Sequence, residues 1–247
     1  MIALWEVILY VDICVGLATF AYFRKILDLK GSLLAFVVGV IISIMGSILW
    51  LVMLLIFLLM SYAFTRYRFE LKKQKGLHEG TRGERGYRNV AANGMVMTII
   101  AVLTFLNVPT FELSTSSFIF VSALSVAAAD TAASEIGVFD PDPVLITTFE
   151  KVTPGTDGGV SLTGQLAAFV AAAFTSAVGF ALFIFDPNLL AGASTVLIPM
   201  ICGFFGCQVD SVIGATIERK GKIGKLGNNF ISISSGAILA WILSNAI

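Results

Sequence analysis

Two aspartates, Asp130 and Asp210, stand at the ends of long apolar stretches, and each is followed at once by a hydroxyl residue, Thr131 and Ser211. An ionisable side chain within a membrane-spanning segment is costly and by default marks a functional site; the plain alternative is a helix end at the headgroup level. Three other polar clusters accompany them. One is Arg82-Gly-Glu-Arg-Gly-Tyr-Arg-Asn, running on to Asn93; the second is the loop TPGTDGGVSLTG at 153–164; the third is the pair Asn228 and Asn229. The loop carries the strongest chemical signal. Gly155, Gly158, Gly159 and Gly164 let backbone N–H groups turn inward, while Thr153, Thr156, Ser161 and Thr163 supply hydroxyls. Such a nest ahead of a helix N-terminus suits a phosphate. It lacks the Gly-Lys-Ser/Thr of a Walker loop. Asp157 at its centre repels bare phosphate but suits a phosphate carrying Mg2+, which prefers one or two carboxylates together with phosphate oxygens. Arg82, Arg85 and Arg88 recur every three residues; if that stretch is helical they share a face, where guanidinium forks can grip a phosphate. Lys222 and Lys225 are either further phosphate contacts or plain membrane anchors. For Arg66, Arg68, Lys72, Lys73 and Lys75 anchoring suffices.

The elements that must position these groups are set by composition. Of 247 residues, 57% are hydrophobic and 13% charged, against about 45–50% and about 25% in soluble domains. That excludes an ordinary soluble enzyme, a disordered chain and a nucleic-acid binder, and indicates an all-α, polytopic transmembrane bundle forming one domain over 1–247. A single histidine makes a Ser-His-Asp triad or a His-ligated metal improbable. Cys14, Cys202 and Cys207 lie in apolar runs and read as small core residues. The first segment has Glu6 and Asp12 but no basic leader, so it reads as a retained span.

Apolar segments of about the 20 residues a span needs occur at 4–23, 90–108, 114–132, 163–185, 189–213 and 228–246. The stretch 33–64 would run about 48 Å as one helix, too long for a hydrocarbon core of about 30 Å. The basic residues decide its form. Fifteen of sixteen fall in 24–30, 65–88 and 214–227, and short basic loops stay on the cytoplasmic side. An even number of crossings must therefore separate the first two, which makes 33–64 a short helical hairpin turning near Gly46-Ser47. About eight spans result, with both termini outside and cytoplasmic loops at 24–32, 65–89, 133–162 and 214–227. The loop 133–162 is acidic, and facing three basic loops it suggests a site for metal and phosphate together. The connections 107–113 and 186–189, with Glu112 and Asp186, suggest no chemistry.

The strings RGYRNVAANG, ADTAASEIG, VLITTFEKVTPGTDGGVSLTG and GFFGCQVDSVIGATIE, in that order, resemble one family of integral membrane proteins. It is the family that includes the plant phytyl-phosphate kinase of tocopherol synthesis, itself distantly similar to CTP-dependent dolichol and phytol kinases and to phosphatidate cytidylyltransferases. The resemblance covers roughly residues 25–246. It implies a Mg2+-requiring kinase that uses CTP to convert an isoprenyl monophosphate, such as phytyl or geranylgeranyl phosphate, to the diphosphate. Chemistry and resemblance agree, because a phosphate monoester is largely dianionic at neutral pH and phosphoryl transfer then needs mostly positioning and charge neutralisation.

On that reading Asp130 is the first Mg2+ ligand and a catalytic residue, with Asp157 or Asp210 as second carboxylate. Thr153, Pro154, Gly155, Thr156, Gly158, Gly159 and Ser161 cradle the triphosphate, and Thr131, Ser134 and Glu135 line the nucleotide side. Arg82, Arg85, Arg88, Asn89 and Asn93 hold the acceptor phosphate, with Arg88 counted as catalytic and Lys222 and Asn228 as further contacts. The lipid tail is expected beside Phe105, Phe118, Phe120 and Phe169. Two other readings compete: a cytidylyltransferase, which would release pyrophosphate instead of CDP, and a transporter, which would need polar groups near mid-membrane and facing both sides.

Overall fold

The computed structural model describes residues 3–109, 111–184 and 194–244; Asp186 lies outside them. Among these residues seven helices are long and apolar enough to cross a membrane. They are α1 (Leu4–Phe23), α3 (Ile48–Arg66), α5 (Tyr87–Phe105), α6 (Leu113–Gly137), α7 (Leu162–Phe183), α8 (Ser194–Ile213) and α9 (Lys225–Ser244). An eighth apolar helix, α2 (Leu29–Met45), has 17 residues, the lower limit for a span of about 17–25. A short amphipathic helix, α4 (Phe69–Gln74), and a two-stranded ribbon, β1 (Val144–Leu145) with β2 (Gly159–Val160), complete the described elements. The protein is a multi-pass integral membrane helical bundle.

The hairpin expected at 33–64 is present with longer arms, 29–45 and 48–66. It breaks where expected, at Gly46, because Ser47 is extended and its hydroxyl accepts the Leu49 N–H at 3.2 Å, capping α3. A Cβ at position 46 would collide with the Trp50 ring. Asp28 caps α2 in the same way, accepting the Gly31 N–H at 2.6 Å. At the far end of the chain order, Ser161 caps α7 through the Gly164 N–H.

The hub is α6. Every residue from Ser116 to Ala132 is buried, although the helix is rich in Ala and Ser. Its small side chains explain this, since α7, α8 and α9 approach it closely on several sides. Gly203 and Gly206 of α8 lie against Ser125 and Val126, so that even a Cβ would crowd them. On another side α3 seats Trp50, fully buried, on Phe120 with ring centroids 4.5 Å apart, and its indole N–H donates to Ser117 Oγ at 3.0 Å. Trp50→Phe keeps the stacking but removes that bond and some volume. A loss of about 1.5 kcal/mol is expected, read as a lower Tm in detergent with the helical signal unchanged. The three cysteines are free and buried, as expected.

The tail-binding aromatics expected from sequence do not form a groove. Phe118 and Phe120 are consumed in the core, while Phe105 and Phe169 face outward from the bundle. Phenylalanine is as good a lipid-facing residue as a groove-lining one, so its type alone did not place it.

Candidate functional site

Up-and-down packing brings the C-terminal ends of α1, α3, α6 and α8 together with the N-terminal ends of α2, α5, α7 and α9. The four polar loops meet there. Arg85 N–H donates to Ile26 O and Asp28 N–H to Arg85 O, joining 24–28 to 65–86. Gly158, at φ +75°, sits so tightly on Ala215 that a Cβ would strike its backbone, joining 153–161 to the turn after α8. That turn, Gly214–Glu218, is a single π-helical turn, a feature that often accompanies functional sites.

These loops enclose a cleft of about 260 Å³. Asp130, Ser134 and Glu135 of α6 form one wall and Asp210 and Ser211 of α8 another. The loop from Pro154 to Ser161 covers it, and Lys225, Asn228 and Asn229 of α9 close it. The Asp130 and Asp210 carboxyl groups are close enough to interact directly. Asn229 Nδ2 reaches Asp130 Oδ2 at 3.4 Å, and Ser232 Oγ donates to Asp210 Oδ1 at 3.2 Å. Asn228 Nδ2 donates to Asp210 O and to Glu218 Oε2, at 3.1 and 2.8 Å, while its Oδ1 is buried without a hydrogen-bond partner among the described residues. A narrow extension of the cleft runs behind Asp130 to Thr131, Arg85, Asn89 and Asn93.

The electrostatics are lopsided. Glu79, Asp130, Glu135, Asp157, Asp210 and Glu218 line the cleft, against Lys225 on the same wall and Arg85 in the extension. A triphosphate could not enter such a cleft without cations of its own. Among the described residues no group of three or more His, Cys, Asp or Glu side chains is arranged to enclose a metal ion. Two adjacent carboxylates and an orphaned amide oxygen nevertheless fit Mg2+, which draws its other oxygens from phosphate and water.

Arg85 is the arginine that enters the site. It is 7% exposed, and among the described residues only its Nη1 has a hydrogen-bond partner, Thr65 Oγ1 at 3.3 Å. Burial pushes its guanidinium down from the ordinary arginine value, and Glu135, Glu79 and Asp130 pull it back up; it stays charged. The preceding turn orients it. Glu84 accepts from the Thr81 hydroxyl and from the Thr81 and Arg82 N–H groups. Burial raises the Glu84 pKa, but these bonds outweigh it and hold the group at about 2.

Several expected site residues lie elsewhere. Arg82, Arg85 and Arg88 do not share a helix face, because α5 begins only at Tyr87 and the two earlier arginines lie in an irregular turn. Arg82 is exposed, with its carbonyl accepting from Arg66, and Arg88 is exposed with Nε on the Tyr87 hydroxyl. Lys222 is exposed and outside the cleft wall, where its neighbour Lys225 lies instead. Thr153 is exposed and accepts with its carbonyl from Thr156 Oγ1, so it shapes the turn. Glu135 lines the cleft, but its carboxylate is engaged by Lys72 Nζ at 2.6 Å and Thr65 Oγ1 at 2.7 Å.

Lys72 is the clearest error of the sequence reading. Expected as a surface anchor, it is fully buried, with Nζ also donating to Phe64 O at 2.8 Å. The run Lys72-Lys73-x-Lys75 looks uniform in sequence, and only the seating of α4 selects which lysine turns inward. Glu79 and Glu218 also escaped notice, and Asn229, singled out with Asn228 as a polar pair, was given no role at the site. Glu79 accepts from Asn89 Nδ2 at 2.7 Å, and the only signal for it was its neighbourhood in a polar loop.

Residues 12–238 match the family described as integral membrane protein DUF92. The chain belongs to this family. Relatives include an uncharacterized membrane protein of Methanocaldococcus jannaschii, 31% identical over 94% of this chain and 91% of that one. Protein VTE6, chloroplastic, of Arabidopsis thaliana is 32% identical over 75% of this chain and 55% of its own length. The CTP-dependent diacylglycerol kinase 1 of Schizosaccharomyces pombe is 29% identical over 62% of each chain. No solved structure matches.

Proposed function

We propose that this DUF92 protein is a CTP- and Mg2+-dependent kinase of an isoprenyl monophosphate, working at the cytoplasmic face of the membrane and yielding a prenyl diphosphate and CDP. The observation that carries this reading is the adjacency of Asp130 and Asp210 beneath the glycine loop, with the buried guanidinium of Arg85 just behind. Resemblance to a CTP-dependent kinase supports the donor, and similarity to the family of the phytyl-phosphate kinase supports the acceptor.

Mg2+ bound with the nucleotide would neutralise triphosphate charge. Asp130 and Asp210 would hold that cation, and Asn228 lines the same cleft. The loop from Pro154 to Gly159 lies over the triphosphate, its shape kept by the left-handed Gly155 and Gly158 and by the cap at Ser161. Asp157, in the lining of the same cleft, would offer that cation a further carboxylate. Arg85, with Asn89 and Asn93, orients the acceptor phosphate. One of its oxygens forms the new bond to the γ-phosphorus while the bond from that phosphorus to the β–γ bridging oxygen breaks, and CDP leaves with the electron pair. The acceptor is already dianionic, so no general base is required. Lys225 offsets charge on the phosphoryl group in transit. Arg82, Arg88 and Lys222 serve the membrane surface.

The test is product analysis with purified protein in detergent, Mg2+, CTP and geranylgeranyl phosphate. Diphosphate and CDP are expected. A CDP-lipid with pyrophosphate would replace this reading by cytidylyl transfer, and phosphatidate formed only from diacylglycerol would replace the acceptor.

A further inference from the structure

Beyond Arg85 the cleft meets a cavity of a different kind. It holds about 220 Å³ among α1, α2, α3 and α5, and its walls are almost wholly apolar. Polar side chains reach it from Ser61, whose hydroxyl is committed to Leu58 O, and from Arg85, Asn89 and Asn93 at one end. Those last three also line the extension behind Asp130. The other end is floored by Cys14, Gly39 and Leu51, and a Cβ on Gly39 would touch Cys14 Sγ and Leu51 Cδ1 at 3.2 and 3.3 Å. From Ser61 to Leu51 along α3 the depth is about 15 Å at helical rise. At the rim, Phe20 and Leu59 are 54% and 45% exposed, on faces that a bilayer would cover.

An apolar cavity with strong donors gathered at one end is shaped for an amphiphile, and Arg85, Asn89 and Asn93 at that end also border the acidic cleft. Among the described residues Arg85 has four of five N–H donors without a protein partner, and Asn93 Oδ1 is buried with none.

We propose that this cavity holds the hydrocarbon chain of the lipid-phosphate acceptor, with the phosphate at Arg85 and the chain end against Cys14, Gly39 and Leu51, so that these three residues set the chain length accepted. The assignment rests on the lipid-phosphate reading of the cleft. It replaces the phenylalanine groove expected from sequence, and it gives α1, the least buried helix, a substrate-binding role.

Two measurements test it. The first compares kcat/KM for geranyl and geranylgeranyl phosphate in Gly39→Leu, which raises the floor, and in Ala18→Phe, which narrows the channel from the loosely packed α1. Either variant is expected to lower the preference for the longer chain about tenfold or more. Retained thermal stabilisation by Mg2+–CTP shows in each case that the variant is folded. The second is photolabelling by a geranylgeranyl phosphate analogue carrying a terminal diazirine. Label on the segments around Cys14, Gly39 and Leu51, displaced by geranylgeranyl phosphate, is the expected result. Label on the outer faces of α7 to α9, or label that excess geranylgeranyl phosphate does not displace, overturns the assignment in favour of ordinary bilayer contact. If wild-type protein phosphorylates both substrates and both folded variants keep its chain preference, the cavity assignment falls while the kinase reading stands. Competed label at the floor without any turnover would do the reverse.

Discussion

Asp130→Asn should give a protein that folds as well as wild type, or better, and transfers no phosphoryl group. Asp130 is buried and lies against the half-buried Asp210, and like charges so placed oppose each other. Asparagine keeps the shape, and its carbonyl oxygen still accepts from Asn229. Removing the charge therefore relieves the fold while stripping the cation site of one of its two adjacent carboxylates. Activity should fall at least about a thousandfold, about 4 kcal/mol in transition-state stabilisation. Thermal unfolding in detergent should show Tm unchanged or raised. Asp210→Asn should behave alike, and the double variant should be little worse than either, because the two act as a unit. Mg2+–CTP titration by calorimetry separates the causes: weakened nucleotide binding with an intact fold supports the cation role. A variant that loses its fold, or one that retains near-normal turnover, would remove Asp130 from the chemistry.

Lys72→Met should produce the opposite pattern, a damaged fold. Nζ makes its ion pair with Glu135 at 2.6 Å, and Glu135 is only 13% exposed. Methionine fills the space but leaves a largely buried carboxylate with the Thr65 hydroxyl and the more distant Arg85 charge in place of its ion pair. Loss of one partner of such a pair costs about 3–5 kcal/mol, most of it the cost of the stranded charge. Lys72→Met/Glu135→Gln should recover the greater part, a positive coupling that a double-mutant cycle reads from denaturation in detergent. Activity should suffer as well, because Thr65 links Glu135 to Nη1 of Arg85, and a shifted Arg85 misplaces the acceptor. A Lys72→Met protein with unchanged Tm would mean that α4 sits open and the pair does not form.

How much of this was readable beforehand varied with the physics involved. The break at Gly46 followed from length against bilayer thickness together with the distribution of basic residues, and both arms formed. The glycine loop announced its turns because left-handed positions favour glycine, as at Gly155 and Gly158. The arginine trio misled because a three-residue spacing carries meaning only inside a helix, and α5 starts after two of the three have passed. Lys225 and Lys222 are chemically alike in sequence; the former opens α9 and is thereby turned to the cleft wall, while the latter stays in the preceding turn. The phenylalanines misled for a related reason, since a bilayer and a protein core reward the same side chain.

Composition and charge alone determine that this chain is a helical membrane protein whose basic segments share one side, because burying apolar length and retaining charge in water are local demands that each segment meets by itself. Which polar groups meet was decided only by tertiary structure. Asp130 and Asp210 are eighty residues apart in number, and Lys72 and Glu135 sixty-three. Nothing local draws either pair together. The close approach of α8 and α9 to the small-residue faces of α6 does so for the first, and the folding of α4 beneath the bundle end for the second. The apolar cavity likewise belongs to no single helix, and exists only as the space that α1, α2, α3 and α5 leave among themselves.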